Sequence, residues 1–255
     1  MACAASASLL PIPWRRGGYD GNMKAAAGQT LLIDADDTLW ENNIYFERAI
    51  AAFISFLDHQ THSAAEIREV LNQTERASIA VMGYGLASFT HSLIGCYEKL
   101  SATKATEAVA AKIRSFAQSI ADQEMELMPG VAETLPGLAS RHRLILMTKG
   151  ATAEQAGKLE RSGLAEYFSA VEIVPEKNVH AYEAVMARHG CECSATWMIG
   201  NSPKSDINPA LAAGLHAVFL VHKDTWVLEH AELSAPPDGQ RLIELDGFAR
   251  LAEHF

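Results

Sequence analysis

The feature that most constrains the fold is a short apolar run that ends abruptly in acidic residues. Leu31, Leu32 and Ile33 are followed directly by Asp-Ala-Asp-Asp-Thr at positions 34–38. A continuous apolar run of this length is typical of a strand that is buried on both faces, as in a parallel sheet. Open α/β sheets bind ligands at the carboxyl ends of their strands, so the acidic residues mark a candidate site.

Strands and helices alternate along the second half of the chain, which indicates βαβ units and a parallel sheet. The predicted strands are 144–147, 171–174, 197–199 and 216–221, and the last of these is the final strand that the sequence clearly supports. The predicted helices are 152–163, 179–189 and 206–214. We expect Thr152 and Gln155 to cap the first of these helices.

Residues 42–128 interrupt this pattern with helices alone. Apolar residues recur there at helical spacing in four stretches, Ser63 and Glu66 form a capping box, and residues 83–85 break the run. Four helices without a strand between them indicate a small bundle. We therefore expect an α/β core of residues 29–41 and 129–255, a helical insert at 42–128, and a disordered extension at 1–28.

Composition excludes several classes of protein and partner. Of the 255 residues, 49% are hydrophobic and 20% are charged, values that are ordinary for a globular protein. The net charge of -10 repels nucleic acid and anionic membrane surfaces, so we expect neither as a partner. Four cysteines in a chain of this length do not form a disulfide framework, which favours reduced thiols and a cytoplasmic location.

Polar side chains follow four of the predicted strands, at the point where each strand ends. They are Asp34 and Asp36, Thr148 and Lys149, Lys177, and Asn201, Ser202 and Asp206. In a parallel sheet all these ends lie on one edge. Residues that are far apart in sequence are therefore expected to converge on a single crevice.

This set resembles the haloacid dehalogenase superfamily of phosphotransferases and hydrolases. The run from Leu31 to Leu39 resembles its first motif, Met147-Thr148 its second, Lys177 its third, and the segment 200–206 its fourth. The resemblance implies a doubly wound, Rossmann-like parallel-sheet core. It also implies that the helical insert is an all-helical cap domain.

The resemblance also implies the role of each residue. Asp34 is expected to attack phosphorus and form an aspartyl-phosphate, and Asp36 to protonate the leaving oxygen and then activate water. Thr148 is expected to bind a phosphoryl oxygen, with Lys149 as a further candidate. The expected Mg²⁺ ligands are Asp34, the main-chain carbonyl of Asp36, Asn201 and Asp206.

Charge balance explains why cations are needed in such a site. A phosphate dianion is repelled by the carboxylates, and each pair of unit charges costs roughly 4 kcal/mol at ~4 Å and an effective dielectric constant of ~20. Mg²⁺ and Lys177 are expected to offset that repulsion. In this scheme Asp34 is ionised and Asp36 begins protonated, so we expect the environment to separate their pKa values in that order.

The leading hypothesis is a Mg²⁺-dependent phosphatase, a phosphoric monoester hydrolase, acting on a small phosphorylated metabolite as a monomer or homodimer. A 2-haloacid dehalogenase on the same fold is a second hypothesis, although Asp36 argues against it because that branch lacks an acid there. A phosphomutase and a non-catalytic binding protein are also compatible with the sequence, and Asn201 is the only support for the binding protein.

Asn201 stands where the family usually has aspartate, and this difference is testable. An amide oxygen can bind a metal ion but carries no full charge, so we expect weaker Mg²⁺ affinity than in an acid-bearing relative. Asn201→Asp should tighten Mg²⁺ binding in a metal titration of the purified protein. Equal or looser binding by the variant would reject this explanation.

Overall fold

The computed structural model describes residues 27–57 and 61–255. The extension predicted for residues 1–28 lies almost wholly outside these described residues. The polypeptide enters the described part at a turn, where the Gly28 amide donates to the Arg141 carbonyl at 2.9 Å. The first strand follows two residues later.

A six-stranded sheet forms the core, in the order β3-β2-β1-β4-β5-β6, and every neighbouring pair is parallel. The α/β doubly wound fold predicted from the sequence is therefore confirmed. The strands are β1 (Thr30–Ile33), β2 (Arg143–Lys149), β3 (Ala170–Val174), β4 (Thr196–Gly200), β5 (His216–Leu220) and β6 (Leu242–Leu245).

The first strand lies at the centre of the sheet and is buried on both faces. Leu31 and Ile33 pack into one hydrophobic cluster and Leu32 packs into another on the opposite face, because successive side chains of a strand point to opposite sides. All three side chains are fully buried. The order of the strands reverses beside β1, and in such sheets a crevice forms where the order reverses.

In the described part of the chain, eight α-helices surround the sheet or stand beside it. They are α1 (Asn43–Phe56), α2 (Ala64–Met82), α3 (Leu86–Ser101), α4 (Glu107–Ala121), α5 (Val131–Arg141), α6 (Thr152–Ser162), α7 (Val179–His189) and α8 (Asn208–Ala212). We call α1–α4 the helical unit. Its four helices come between β1 and α5 in the chain.

The helical unit has a hydrophobic core of its own. Side chains that the sequence placed on the four apolar stripes meet in one cluster, among them Phe53, Phe89, Leu93 and Ile113. The capping box at the start of α2 is confirmed, since Ser63 Oγ accepts from the Glu66 amide and Glu66 accepts in return from the Ser63 amide. Gly83 and Gly85 both have positive φ angles, which explains the break between α2 and α3.

Two antiparallel segments connect the helical unit to the sheet. The Glu41 amide donates to the Glu126 carbonyl and the Met128 amide donates to the Leu39 carbonyl, each at 2.9 Å. The chain thus leaves and re-enters the core side by side. This pairing holds the helical unit over the carboxyl end of β1.

One local prediction was wrong, and two elements of the fold were not predicted. A sixth strand, β6, follows β5, and a helix, α5, precedes β2 although Pro136 lies inside it. Thr152 is the first helical residue of α6 instead of its cap, and the Ala151 at the cap position makes no side-chain bond. The four-residue β6 at the sheet edge is only partly buried, so its sequence lacks the apolar run of an internal strand.

No helix among the residues that the structure describes is long and apolar enough to cross a membrane.

The separate core of the helical unit predicts how it responds to mutation. Leu93→Ala should lower the free energy of unfolding by about 2–5 kcal/mol, because Leu93 is fully buried and its truncation leaves a cavity. Val81→Ala is the matched control, since Val81 on α2 is 86% exposed and its truncation should change stability by less than about 0.5 kcal/mol. Urea unfolding followed by circular dichroism measures both, and equal effects would contradict the assignment of this core.

Candidate active site

The carboxylate of Asp34 stands at the end of the central strand. The Asp34 amide donates to the Ile199 carbonyl at 2.9 Å, so the pairing of β1 with β4 continues to this residue. A strand buried on both faces is a rigid support. The position of the Asp34 side chain is therefore set by the sheet and not by a loop.

Lys177 brings together side chains from three separate segments of the chain. Its Nζ atom donates to Asp34 Oδ1 in a short contact and to Asp206 Oδ1 at 2.7 Å. The residue is 4% exposed. The convergence that the sequence predicted for residues 34, 177 and 206 is therefore observed at the carboxyl edge of the sheet.

Thr38 links the first and fourth motifs. Its Oγ1 atom donates to Asp34 Oδ2 at 3.1 Å and lies 3.4 Å from Asn201 Oδ1. All three residues are buried, and Asp34 and Asn201 line the same cavity. The amide oxygen of Asn201 thus lies close to the carboxylate of Asp34, as expected.

Asp206 lies in a π-helical turn, Pro203–Ile207. Asn201 and Ser202 connect the end of β4 to this turn. The Ser202 amide donates to Asp206 Oδ2 at 2.9 Å. Gly200 allows the carboxyl group to pack against the backbone, because a Cβ atom at Gly200 would lie within 3.0 Å of it. The fourth motif therefore fixes Asp206 by close packing as well as by hydrogen bonds.

Asp36 makes a different set of contacts. Lys158 Nζ and Trp40 Nε1 donate to its Oδ1 atom, and Gln155 Nε2 donates to its Oδ2 atom, each at 2.8 Å. Lys158 and Gln155 both come from α6, where residues three apart share a face. The side chain of Asp36 is therefore fixed from the opposite side to Lys177.

The environment separates the pKa values of Asp34 and Asp36, but in the order opposite to the one predicted. Burial and the charge of Asp206 raise the pKa of Asp34 to about 7, against the opposing charge of Lys177. Burial alone would raise the pKa of Asp36, but the charge of Lys158 and the hydrogen bonds of Lys158, Gln155 and Trp40 lower it. The expectation failed because Lys158 carries no signal in the strand-end motifs.

Thr148 and Lys149 both lie at the end of β2 and line the same cavity. Thr148 is buried. The ammonium group of Lys149 is already engaged, since it donates to Glu229 Oε1 at 2.7 Å and to Ser205 Oγ at 2.8 Å. Of the two predicted phosphate-binding residues, Lys149 therefore has its charge balanced by a carboxylate that the sequence analysis did not identify.

Most of these side chains line a cavity of about 160 Å³ between the sheet and the helical unit. Its described lining contains seven carboxylates and only three ammonium groups. The carboxylates are Asp34, Asp36, Asp37, Glu75, Glu154, Asp206 and Glu229, and the ammonium groups are Lys149, Lys158 and Lys177. This excess of negative charge would oppose the entry of an anion unless a further cation were present.

The oxygen atoms at the centre of the site fit a magnesium ion. Carboxylate and amide oxygens are the ligands that Mg²⁺ prefers, and Asp34, Asn201 and Asp206 supply them around Lys177 and Thr38. The side chain of Asp36 is taken up by Lys158, which leaves its main-chain carbonyl for the role that the motif implies. The donor set thus agrees with the ligands expected from the sequence.

A second group of ligand-type side chains lies beside this set. One ligand atom from each of Asp37, Glu41 and His222 falls within 4.8 Å of the others. Asp37 Oδ1 accepts from the amides of Asn42 and Asn43, each at 2.9 Å, at the start of α1. These contacts give Asp37 a structural role as the anchor of that helix.

The profile of the haloacid dehalogenase-like hydrolase family matches residues 29–214, which include every strand-end residue described above. The chain belongs to the haloacid dehalogenase-like hydrolases. The resemblance inferred from the four motifs is therefore confirmed.

Two solved members show how closely the fold of this haloacid dehalogenase-like hydrolase is shared. A haloacid dehalogenase-like family hydrolase from Xanthomonas campestris is 26% identical, with a TM-score of 0.73 over 89% of this chain and 95% of the other. The L-2-haloacid dehalogenase from Xanthobacter autotrophicus is 16% identical, with a TM-score of 0.60 over 88% and 96%. At the latter identity the likeness concerns the fold alone.

A curated relative is similar over a shorter region. Glyceraldehyde 3-phosphate phosphatase from Methanothermobacter thermautotrophicus is 34% identical over 131 residues. That region is 49% of this chain and 57% of the relative, so the match spans little more than half of the relative's length.

Four residues of the site in this haloacid dehalogenase-like hydrolase were missed in the sequence: Thr38, Gln155, Lys158 and Glu229. Gln155 and Lys158 could have been found as a polar pair on the face of α6 that follows the second motif. Glu229 lies in a short helical turn after β5, in a region where the sequence has no clear periodicity. Only the fold brings Glu229 to Lys149.

The packing of Asp206 against Gly200 yields a test of the site. Gly200→Ala should displace the Asp206 carboxyl group and weaken Mg²⁺ binding by about 10–100-fold, the range seen when residues that position metal ligands are changed. Gly137→Ala on α5 is the matched control, because an added Cβ there meets nothing closer than 4.0 Å. Isothermal titration with Mg²⁺ compares the two, and unchanged affinity in Gly200→Ala would contradict this account of the fourth motif.

Proposed function

We propose that this protein is a Mg²⁺-dependent phosphatase that hydrolyses a small phosphorylated metabolite through an aspartyl-phosphate on Asp34. One observation carries the proposal. The Asp34 carboxylate stands at a rigid strand end, in hydrogen-bond contact with Lys177 and Thr38, beside a cavity that a second carboxylate, Asp36, also lines.

In the first step a carboxylate oxygen of Asp34 attacks the phosphorus atom, and the bond from phosphorus to the ester oxygen breaks. The leaving oxygen takes a proton from Asp36 and departs as an alcohol. Because the pKa of Asp36 is lowered by Lys158 in this state, Asp36 must first gain a proton as its contact with Lys158 loosens.

In the second step Asp36, now ionised, accepts a proton from water. The water oxygen attacks the phosphorus atom of the aspartyl-phosphate, which releases inorganic phosphate and restores the Asp34 carboxylate. Lys158, Gln155 and Trp40 hold the Asp36 carboxylate in one place for this proton transfer.

Cations must balance the charge of the phosphoryl group throughout. Lys177 contributes one, held between Asp34 and Asp206. Bound Mg²⁺ would add two positive charges beside the phosphoryl oxygens, with Asp34, the Asp36 carbonyl, Asn201 and Asp206 as its ligands. Thr148, near the end of β2, would donate a hydrogen bond to a phosphoryl oxygen.

The size of the cavity favours a small substrate. A space of roughly 150 Å³ is filled by a molecule the size of benzene, and the present cavity measures about 160 Å³. The similarity to a glyceraldehyde 3-phosphate phosphatase agrees with a phosphorylated metabolite of this size. A cytoplasmic location and a monomeric or homodimeric state remain predictions from the sequence.

The fold is shared with 2-haloacid dehalogenases, in which the competing reaction would release halide from carbon. The carboxylate of Asp36 favours the phosphatase, because phosphate ester cleavage needs an acid for the leaving oxygen whereas a halide leaves without a proton. A phosphomutase or a non-catalytic binding protein has no support beyond that given by the sequence.

Removal of the nucleophile tests the proposal directly. Asp34→Asn should lower phosphate release from a panel of phosphate monoesters by about 10³-fold or more, because no covalent intermediate can form. Asp246→Asn changes a carboxylate with 81% exposure far from the cavity and serves as the matched control. A Mg²⁺-free arm and a haloacid arm complete the assay.

Full turnover in Asp34→Asn would reject Asp34 as nucleophile. Halide release without metal, in place of phosphate release, would establish the dehalogenase reaction. Mass spectrometry of acid-quenched wild-type enzyme should show a phosphoryl adduct on the peptide containing Asp34.

A further inference from the structure

The helical unit contributes one side of the cavity, and that side carries buried polar atoms without partners. Glu75 on α2 is 5% exposed, Ser88 on α3 is 3% exposed, and both line the cavity. Glu75 Oε2 and Ser88 Oγ have no hydrogen-bond partner among residues 27–57 and 61–255. Because buried polar atoms are almost always paired in native proteins, this pair indicates that a ligand supplies the missing contacts.

The basic side chain of Arg68, also on α2, forms its hydrogen bonds with residues other than Glu75. Arg68 Nη1 and Nη2 donate to the two carboxylate oxygens of Glu47 at 2.6 and 2.7 Å, and its Nε donates to Asn72 at 3.1 Å. The guanidinium group of Arg68 is therefore bonded to Glu47 on α1 and to Asn72 on its own helix. Glu75 therefore faces the cavity without an ion pair in the described part of the chain.

The rest of this side of the cavity is apolar or uncharged, apart from Glu75 itself. Phe46, Ile50, Ile79 and Phe89 line it together with Ser92, whose Oγ already donates to the Ser88 carbonyl at 2.8 Å. Among the described lining residues of 42–128 there is no lysine, arginine or histidine. A second phosphate or a carboxylate on the substrate would meet Glu75 there without a neutralising cation.

We propose that Glu75 and Ser88 form a subsite that binds a hydroxyl group at the end of the substrate remote from the phosphate. This inference rests on the proposed phosphatase function and specifies its substrate class as hydroxylated alkyl phosphates without a second anionic group. The substrate hydroxyl donates its proton to the Glu75 carboxylate and accepts the proton of Ser88 Oγ. The apolar side chains contact the carbon chain between the two ends.

The chemistry of the pair selects a hydroxyl over other groups. A hydroxyl both donates and accepts, which matches an acceptor beside a serine hydroxyl. An ammonium group has no lone pair for the Ser88 proton, and an alkyl end would leave both buried atoms unpaired. A site of this kind discriminates strongly against an analogue that lacks the hydrogen-bonding group, because the buried polar groups of the site are then left without partners.

The ionised carboxylate of Glu75 also lowers the stability of the folded state, which favours a role in ligand binding. Burial raises the pKa of Glu75 to about 7 and Glu47 on α1 adds to the rise, while Arg68 and Arg76 on α2 oppose it. The charge of Glu75 in turn contributes to the raised pKa of the Cys96 thiol on α3. The pKa of Glu75 in the folded protein, about 7, exceeds its ordinary value of 4.5. Ionisation of Glu75 therefore lowers the stability of the folded state as the pH rises from about 4.5 to about 7.

A matched substrate series tests the subsite. Straight-chain alkyl phosphates of two to five carbons are compared with the ω-hydroxy, ω-amino and ω-carboxy phosphates of the same length. At the best chain length the wild-type enzyme should show kcat/KM at least about tenfold higher for the hydroxy compound than for each of the other three. Near-equal values, or a preference for the amino or carboxy series, would overturn the proposal.

Variants then assign the preference to these residues. In Glu75→Leu and in Ser88→Ala the ratio of kcat/KM for hydroxy and alkyl substrates should fall towards one. Glu69→Leu, at an exposed glutamate of the same helix, should keep the wild-type ratio. An unchanged ratio in both Glu75→Leu and Ser88→Ala would overturn the assignment, and Ser88→Ala decides alone if Glu75→Leu does not fold.

Two further readouts separate the two ways in which the proposal can fail. Glu75→Gln should raise the Tm at pH 8 and raise it less at pH 5, whereas a lower Tm at pH 8 would show that the carboxylate serves the fold and would overturn the proposal. Acetyl phosphate, which has no remote end, reports on the phosphatase chemistry itself. If wild-type enzyme hydrolyses neither it nor any ester, the proposed function fails; if it hydrolyses them without a hydroxyl preference, only the subsite fails.

Discussion

The active site depends on one buried ammonium group held between two buried carboxylates. Lys177 donates to Asp34 at the end of the central strand and to Asp206 in the π-helical turn after β4. Burial of either carboxylate alone would be strongly unfavourable, and the two together repel each other. The charge of Lys177 makes their proximity tolerable, and the raised pKa of Asp34 shows that it does so only in part. The remaining negative charge would favour the binding of a further cation at this site.

The same principle divides the rest of the site into separately balanced pairs. Lys158 neutralises Asp36 from α6, and Lys149 neutralises Glu229 at the edge of the sheet. The pKa values of Asp34 and Asp36 differ because their partners differ. Among the described carboxylates that line the cavity, Glu75 alone combines deep burial with an unpaired oxygen, which is why it points to a ligand.

The helical unit has its own core, and several of its contacts with the sheet domain are polar. Tyr84 donates to Glu176 at 2.7 Å, and the Leu86 amide at the start of α3 donates to Glu154 at 3.1 Å. Such contacts are weaker and more easily exchanged with water than apolar packing.

The sequence by itself determined five of the six strands, the helical insert, and the residues at the strand ends. It could do so because apolar runs and helical spacing are local properties, and because parallel strands place their carboxyl ends on one edge. Asp34, Lys177 and Asp206 were predictable for that reason. The partners of Asp36 and Lys149, the order of the two aspartate pKa values and the position of Glu75 were decided by the tertiary structure alone. These depend on which helix packs over which strand end and on how deeply each charge is buried, neither of which is a property of any short segment.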